Sequence, residues 1–236
     1  MSNSEKGNFY FGISDKKIFI SFFEKDKSHY NETLNFEIPD SLNNDLNFKV
    51  ILNLLKKNIR SIEKNLGFFL TSGNISIQSS SHQSILLSIK RIFDEKKLDE
   101  IVISNLVQSA VQYFNNYNEK LAIIHIVVNK YFIDDKIYKQ LPCNIKFKKI
   151  IIEIELICLD KNLIQKVKNL FRECKIKINK IISFEYAKKF LNDEEDLTMC
   201  ISAKKVINGA NLSEVQIRED NQKKANIFDR IFSFFD

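Results

Sequence analysis

The alternation of apolar and polar positions is clearest in the middle of the chain. From Leu121 to Val128 every residue except His125 is apolar, as in a strand covered on both faces. Residues 150–158 then alternate with a period of two, which places Glu153 and Glu155 on one face of a half-buried strand.

A helix and a further strand follow this pair. Asp160 is a suitable N-cap, and apolar residues recur after it at helical spacing until Cys174. Residues 176–182 then alternate again as a strand. The pattern therefore predicts a mixed α/β (α+β) protein with a strand–helix–strand repeat.

The flanking regions add elements of both kinds. Residues 8–39 hold three segments rich in Phe and Ile, FYFGIS, KIFISFFE and LNFEIP, which predict a three-stranded meander. Helices are predicted over 46–66, ended by Gly67, over 98–114, over 184–191 and near 197–207. The pattern of residues 85–93 fits either a short strand or a helix.

Composition limits the function classes. The chain has 236 residues and 44% apolar content, enough for an ordinary core, and a formal net charge of +6. Its lysines are spread over the chain without a concentrated patch, so a solvated surface is favoured and nucleic-acid binding is not. Nucleic-acid binding would instead require salt-sensitive retention through clustered lysines.

Cysteine spacing and segment hydropathy indicate a cytoplasmic location. The four cysteines show no C-x-x-C spacing, which favours reduced thiols over a disulfide or a zinc site. The N-terminus has no apolar signal segment, and no apolar run approaches the length of a membrane-spanning helix. We therefore expect the body of the protein in the cytoplasm.

Candidate catalytic chemistry is sparse. His29, His82 and His125 are far apart in sequence and no carboxylate cluster lies near two of them, so no metal site is predicted. We expect His125 to be a hydrogen-bonded core residue. No catalytic triad, paired-carboxylate motif or complete phosphate loop can be assembled. The sequence therefore predicts a non-enzyme without a cofactor.

The C-terminal residues predict a membrane-binding helix. Residues 226–236 follow a polar linker, 209–225, and carry one apolar stripe at helical spacing: Ile227, Phe228, Ile231, Phe232 and Phe235. Such a stripe can insert into a membrane interface, or it can fold back onto the protein's own domain. We expect peripheral attachment to the cytoplasmic face of the inner membrane.

Three ordered stretches resemble the bacterial cell-division family FtsA, which has an actin-like (ribonuclease H-like) fold. They are FFLTSGNISI from Phe68, IIHIVVNKYFIDD from Ile123 and RECKIKINKII from Arg172. In the second stretch His125, Tyr131, Ile133 and Asp134 match in register, whereas Val128 stands where the family usually has Pro. The likeness covers roughly residues 8 to 183.

The resemblance implies a partial actin-like domain in two pieces, 7–73 and 178–208, separated by the family's inserted strand–helix–strand domain at 74–177. In the family, the first hairpin turn approaches nucleotide phosphates and normally contains Asp-Ile-Gly. Here Gly12, Ile13, Ser14 and Asp15 occupy that turn, so the phosphate site is degenerate. The second actin-like half, with its glycine-rich phosphate loop, has no counterpart in this sequence.

The resemblance implies a truncated or degenerate FtsA-like adaptor of the division machinery (divisome) at the septum. It would contact other division proteins, associate with FtsA-like subunits and bind the membrane through its C-terminal helix. Direct docking to the tubulin-like FtsZ is not expected, because the family's docking surface lies in the missing half. The alternative is an actin-like scaffold of a type IV pilus or type II secretion assembly.

Overall fold

The computed structural model describes residues 7–14, 16–24, 27–35, 48–142, 145–191 and 198–215. These residues form two compact units. The first contains the described residues up to His82 and those from Leu159 to Ala210. The second contains residues 83–158 and the described residues from Asn211 onward.

The first unit is built on a five-stranded mixed sheet. Strands β1 (Asn8–Ile13), β2 (Lys17–Glu24) and β3 (Lys27–Asn35) form the predicted antiparallel meander, although the third strand begins before the predicted LNFEIP segment. β4 (Ser72–Ile77) pairs parallel to β1, and β9 (Lys177–Ser183) pairs parallel to β4. The strand order is β3-β2-β1-β4-β9.

Helices cover both faces of this first sheet. Helix α1 (Phe48–Leu66) packs beside α3 (Lys161–Glu173), whose Phe171 ring lies 5.0 Å from that of Phe11. Helix α5 (Thr198–Ile207) contacts β1 on the opposite face of the sheet. Because side chains alternate along a strand, Tyr10 and Gly12 lie on this face. The short helix α4 (Phe184–Ala187) and the 3-10 turn Lys188–Phe190 replace the longer helix expected over 184–191.

The helix ends follow from local sequence, as predicted. The Asp160 carboxylate accepts a hydrogen bond from the backbone N–H of Leu163 at 3.0 Å and caps α3. Gly67 follows α1 with φ of +76°, a conformation that favours glycine.

The second unit is one sheet with a helix on one face. Its strands follow the order β10-β6-β8-β5, with β7 (Lys136–Tyr138) added to β6 (Leu121–Ile133). The other members are β5 (Gln83–Lys97), β8 (Lys146–Asp160) and β10 (Glu214–Val215). Helix α2 (Glu100–Tyr117) buries Leu106, Ala110 and Phe114 in a core shared with Ile152 and Ile154 of β8.

The bounds of this unit differ from the 74–177 expected for the inserted domain. β4 and β9 complete the first sheet, so the chain enters the second unit only after β4 and leaves it before α3. The segment 85–93, which fitted either a strand or a helix, lies within the 15-residue strand β5.

Candidate functional site

The turn that the resemblance assigns to phosphate lies between β1 and β2, and the backbone N–H of Ser14 is used within the hairpin. The Ser14 N–H donates to the Lys17 carbonyl at 3.0 Å, and the Lys17 N–H donates to Ser14 Oγ at 3.1 Å. These hydrogen bonds close the hairpin and turn both donors away from any anion. Asp15, the remaining residue proposed for this turn, lies outside the described residues.

The space over Gly12 is filled by α5. A Cβ at Gly12 would lie 2.7 Å from Met199 Cβ and 3.2 Å from a ring carbon of Phe19. Gly12 therefore serves the close packing of α5 on the sheet. In a phosphate-binding turn the same small residue would let backbone N–H groups approach an anion, but here the neighbouring space is occupied by a side chain.

The thiol beside this contact is buried and hydrogen-bonded. Cys200 Sγ donates to the Tyr10 carbonyl at 3.4 Å, and burial raises the pKa of Cys200 to about 12. Burial likewise raises the pKa of Cys158 to about 12, and it raises that of Cys174. Because the thiolate is the nucleophilic form, these three cysteines are unsuited to nucleophilic catalysis near neutral pH.

The histidines occupy three separate environments. His125, 2% exposed, lies with Nδ1 2.9 Å from a Glu214 carboxylate oxygen, which joins β6 to β10 as the core hydrogen bond expected for this residue. His82 Nδ1 lies 2.9 Å from Ser183 Oγ, and His29 Nε2 lies 3.6 Å from Glu24 on the surface. Among the residues that the structure describes, no three His, Cys, Asp or Glu side chains cluster as metal ligands would.

A polar groove runs between β5 and α2 in the second unit. It has a volume of about 370 Å³ and is lined by Arg91, Phe93 and Lys96 of the strand and by Asn105, Ser109 and Gln112 of the helix. Arg91 donates to Ser109 Oγ at 3.4 Å, and the Lys96 ammonium lies 5.4 Å from the Phe93 ring centre. The groove can hold a polar or anionic group, but it contains no arrangement of acid, base and nucleophile.

The outer edge of β5 is the feature that sequence reasoning missed. β5 ends the sheet order of the second unit and carries two large exposed apolar residues, Leu86 and Ile92, which are 64% and 70% exposed. The alternation of Ile85, Leu87 and Ile89 could have identified the strand. The consecutive Leu86 and Leu87 and the charged end of the segment hid that period.

The proposed membrane-binding residues, Ile227, Phe228, Ile231, Phe232 and Phe235, lie outside the described residues. Within the described part of the chain, no helix is both long and apolar enough to cross a bilayer. The membrane-binding helix therefore stays a prediction.

Comparison with known proteins gives structural likenesses only. No protein-family profile matches the chain, and no curated protein matches it in sequence. The structure is similar to that of a PilM–PilN type IV pilus biogenesis complex, with a TM-score of 0.44, 7% identity and coverage of 80% of this chain and 50% of that chain.

Two further solved structures are distantly similar to this chain. One is the cytoplasmic domain of EpsL, an inner membrane component of the type II secretion system of Vibrio cholerae, with a TM-score of 0.37, 9% identity and coverage of 80% of this chain and 60% of that chain. The other is a Bacteroides thetaiotaomicron protein with an actin-like ATPase fold and unknown function, with a TM-score of 0.28, 15% identity and coverage of 79% and 56%.

These likenesses are distant. All three TM-scores are below 0.5, so none of them carries a functional argument, and the chain spans 50–60% of the length of the matched chains. The resemblance to FtsA has no counterpart among these three structures or in a matching family profile. What stands from the comparisons is a mixed α/β structure distantly similar to part of actin-like proteins.

Proposed function

We propose that this chain is a non-catalytic, actin-like adaptor that makes protein–protein contacts in a bacterial envelope assembly. The observation that carries the proposal is the packing of Met199 against Gly12, which fills the turn where an actin-like ATPase would receive phosphate. The high pKa values of Cys158 and Cys200 support the same interpretation, because they leave these thiols protonated.

Support for a role in protein contacts comes from the second unit. An exposed edge strand presents unpaired backbone donors and acceptors, and in β5 these lie beside the exposed Leu86 and Ile92 side chains. An exposed sheet edge of this kind can bind another protein by strand addition. Membrane attachment would come from the amphipathic helix predicted over 226–236.

The cellular setting has two candidates. The sequence resemblance implies cell division, whereas two of the structural likenesses are named for type IV pilus biogenesis and type II secretion. None of the three compared structures is named as a division protein. Because their TM-scores carry no argument, the choice between a division adaptor and a pilus or secretion scaffold rests on localisation.

A functional fluorescent fusion in the native host tests the proposal. A midcell band would support the division adaptor, and polar or dispersed envelope foci would support the pilus or secretion scaffold. The matched control is the same fusion with Phe228→Glu and Phe232→Glu, which should lose envelope localisation. A wild-type signal spread evenly through the cytoplasm would contradict both forms of the proposal.

A further inference from the structure

Strand β5 is an unpaired edge over its regular part. It is antiparallel to β8 in continuous register from Gln83 opposite Cys158 to Ile92 opposite Lys149, and the register shifts only after Ile92. No strand among the described residues pairs with its other side. One row of backbone donors and acceptors therefore faces outward along this regularly paired segment.

The side chains of this segment are arranged symmetrically about Ile89. Leu86 and Ile92, both exposed, lie three residues before and three residues after it. Because side chains alternate along a strand, both lie on the face opposite the half-buried Ile85, Leu87 and Ile89. That face is the one turned away from α2.

We propose that two copies of this chain associate through β5, paired antiparallel about a twofold axis at Ile89. In this register Leu86 lies opposite the partner's Ile92, and Ile92 lies opposite the partner's Leu86. Each exposed apolar side chain is thereby partly covered by the other, twice per dimer, and the two sheets join into one.

Charge selects this register over its neighbours. About Ile89, Lys90 lies opposite Ser88 and Arg91 lies opposite Leu87, so no two like charges meet. An antiparallel register centred on Lys90 or Arg91 would place that cation against its own copy. A parallel, in-register pair would place both cations beside their copies, which is unfavourable.

Other registers lose the apolar match. Centred on Ser88, the pair would place Leu86 opposite Lys90 and Ile92 opposite Ser84. Centred on Leu87, it would place Ile92 opposite His82, beyond the start of β5. Only the register about Ile89 brings the two exposed apolar residues together while it keeps the cations apart.

The proposed association rests on the observations at β5 alone and does not depend on the proposed envelope role.

Sedimentation velocity over a concentration series tests the register about Ile89. It compares two double variants, each of which replaces both exposed apolar side chains by charged ones. Leu86→Lys with Ile92→Lys places two lysines opposite each other at both ends of the pair, whereas Leu86→Lys with Ile92→Glu places lysine opposite glutamate. We expect a reversible wild-type dimer whose dissociation constant is at least about tenfold higher in the double-lysine variant than in the lysine–glutamate variant.

Ile137→Lys provides the matched control, because Ile137 is 65% exposed but lies on β7, outside the proposed interface. It should leave the dimer unchanged, and circular dichroism should show all variants folded. A wild-type chain that stays monomeric would overturn the proposal. So would equal dissociation constants for the two double variants, since the contact would then lie elsewhere, in another register or with a different partner.

Discussion

At the scale of single residues, small side chains let α5 lie close to the first sheet. Gly12, Ser21 and Ser76 face this helix from β1, β2 and β4, and Met199 fills the space over Gly12. The sequence predicted that Gly12 and Ser14 make a poor phosphate turn. It did not predict why the glycine is there, because Met199 lies 187 positions away along the chain.

Ser76 gives the first prediction. Its Oγ is completely buried and is without a hydrogen-bond partner among the described residues, whereas the equally buried Ser183 Oγ lies 2.9 Å from His82. Ser76→Ala should raise the free energy of unfolding by about 1 kcal/mol, because it removes an unsatisfied buried hydroxyl. Ser183→Ala should lower it by about 1 kcal/mol. Urea unfolding measures both variants, and a loss of stability in Ser76→Ala as large as that in Ser183→Ala would refute this assignment.

The raised pKa of Cys200 predicts that the folded protein loses stability at alkaline pH. Burial raises its folded-state pKa from the ordinary 9.0 to about 12, so above pH 9 the unfolded chain releases a proton that the folded chain keeps. The stabilisation linked to the protonated thiol is complete below pH 9 and is lost as pH rises towards 12. The loss amounts to about 1 kcal/mol by pH 10.

Comparison with Cys200→Ala isolates this effect. Between pH 8 and pH 10 the variant should lose about 1 kcal/mol less unfolding free energy than the wild type. Cys158 and other alkaline groups that do not interact with Cys200 titrate in both proteins and cancel in the difference. The same loss in both proteins would show that the Cys200 thiol ionises as readily in the folded state as in the unfolded state.

At the scale of elements, period and capping predicted most helices and strands. The alternation of residues 150–158 predicted β8, and the Asp160 cap predicted the start of α3. Gly67 predicted the end of α1. Segments without one clean period were less well predicted. Residues 85–93 of β5 fitted either a strand or a helix, the short β7 was missed, and the start of β3 was misplaced. β10 has only two residues and is held by pairing with Val127 and Ile126, so no local pattern could predict it.

The buried Glu214 gives a prediction about that short strand. Its carboxylate meets His125 at 2.9 Å with both side chains almost wholly buried, and the same strand pairs with β6. Glu214→Ala should lower the free energy of unfolding by about 2 kcal/mol, because His125 loses a buried partner.

The exposed pair of His29 and Glu24, 3.6 Å apart, supplies the control. Glu24→Ala should change stability by less than about 0.5 kcal/mol, since solvent screens an exposed ion pair. Chemical denaturation of both variants makes the comparison. Similar losses in the two variants would mean that burial adds nothing to the His125–Glu214 contact.

The terminal helix, predicted from sequence alone, has its own test. Phe228→Glu with Phe232→Glu places two charges in the apolar stripe, so binding to liposomes should collapse while the thermal melt stays unchanged. If the helix instead packs on its own domain, the same variant should melt at a lower temperature. Co-sedimentation with liposomes is the measurement, with a chain ending at Lys224 as control. Undiminished binding by the shortened chain would rule out the membrane role.

At the scale of the whole molecule, the sequence predicted the α/β class, a three-stranded meander and a strand–helix–strand repeat. It did not predict that β4 and β9 run parallel to β1. It placed the divisions of the chain at 74 and 178, whereas the structure divides the described residues after His82 and before Leu159. The difference arises because β4 and β9 pair within the first sheet, a non-local choice that hydrophobic period does not encode. Likewise, only the sheet order shows that β5 is an edge.

The central proposal is that this chain contacts other proteins and does not use ATP. It rests on Met199, which packs on Gly12, and on the closed β1–β2 hairpin at the turn that the FtsA resemblance assigns to phosphate. Titration calorimetry of the chain with ATP and magnesium tests it most directly. The account predicts no binding heat above dilution at ATP concentrations up to about 1 mM, the upper end of the range of KM values typical of enzymes. A dissociation constant in the micromolar range would contradict it.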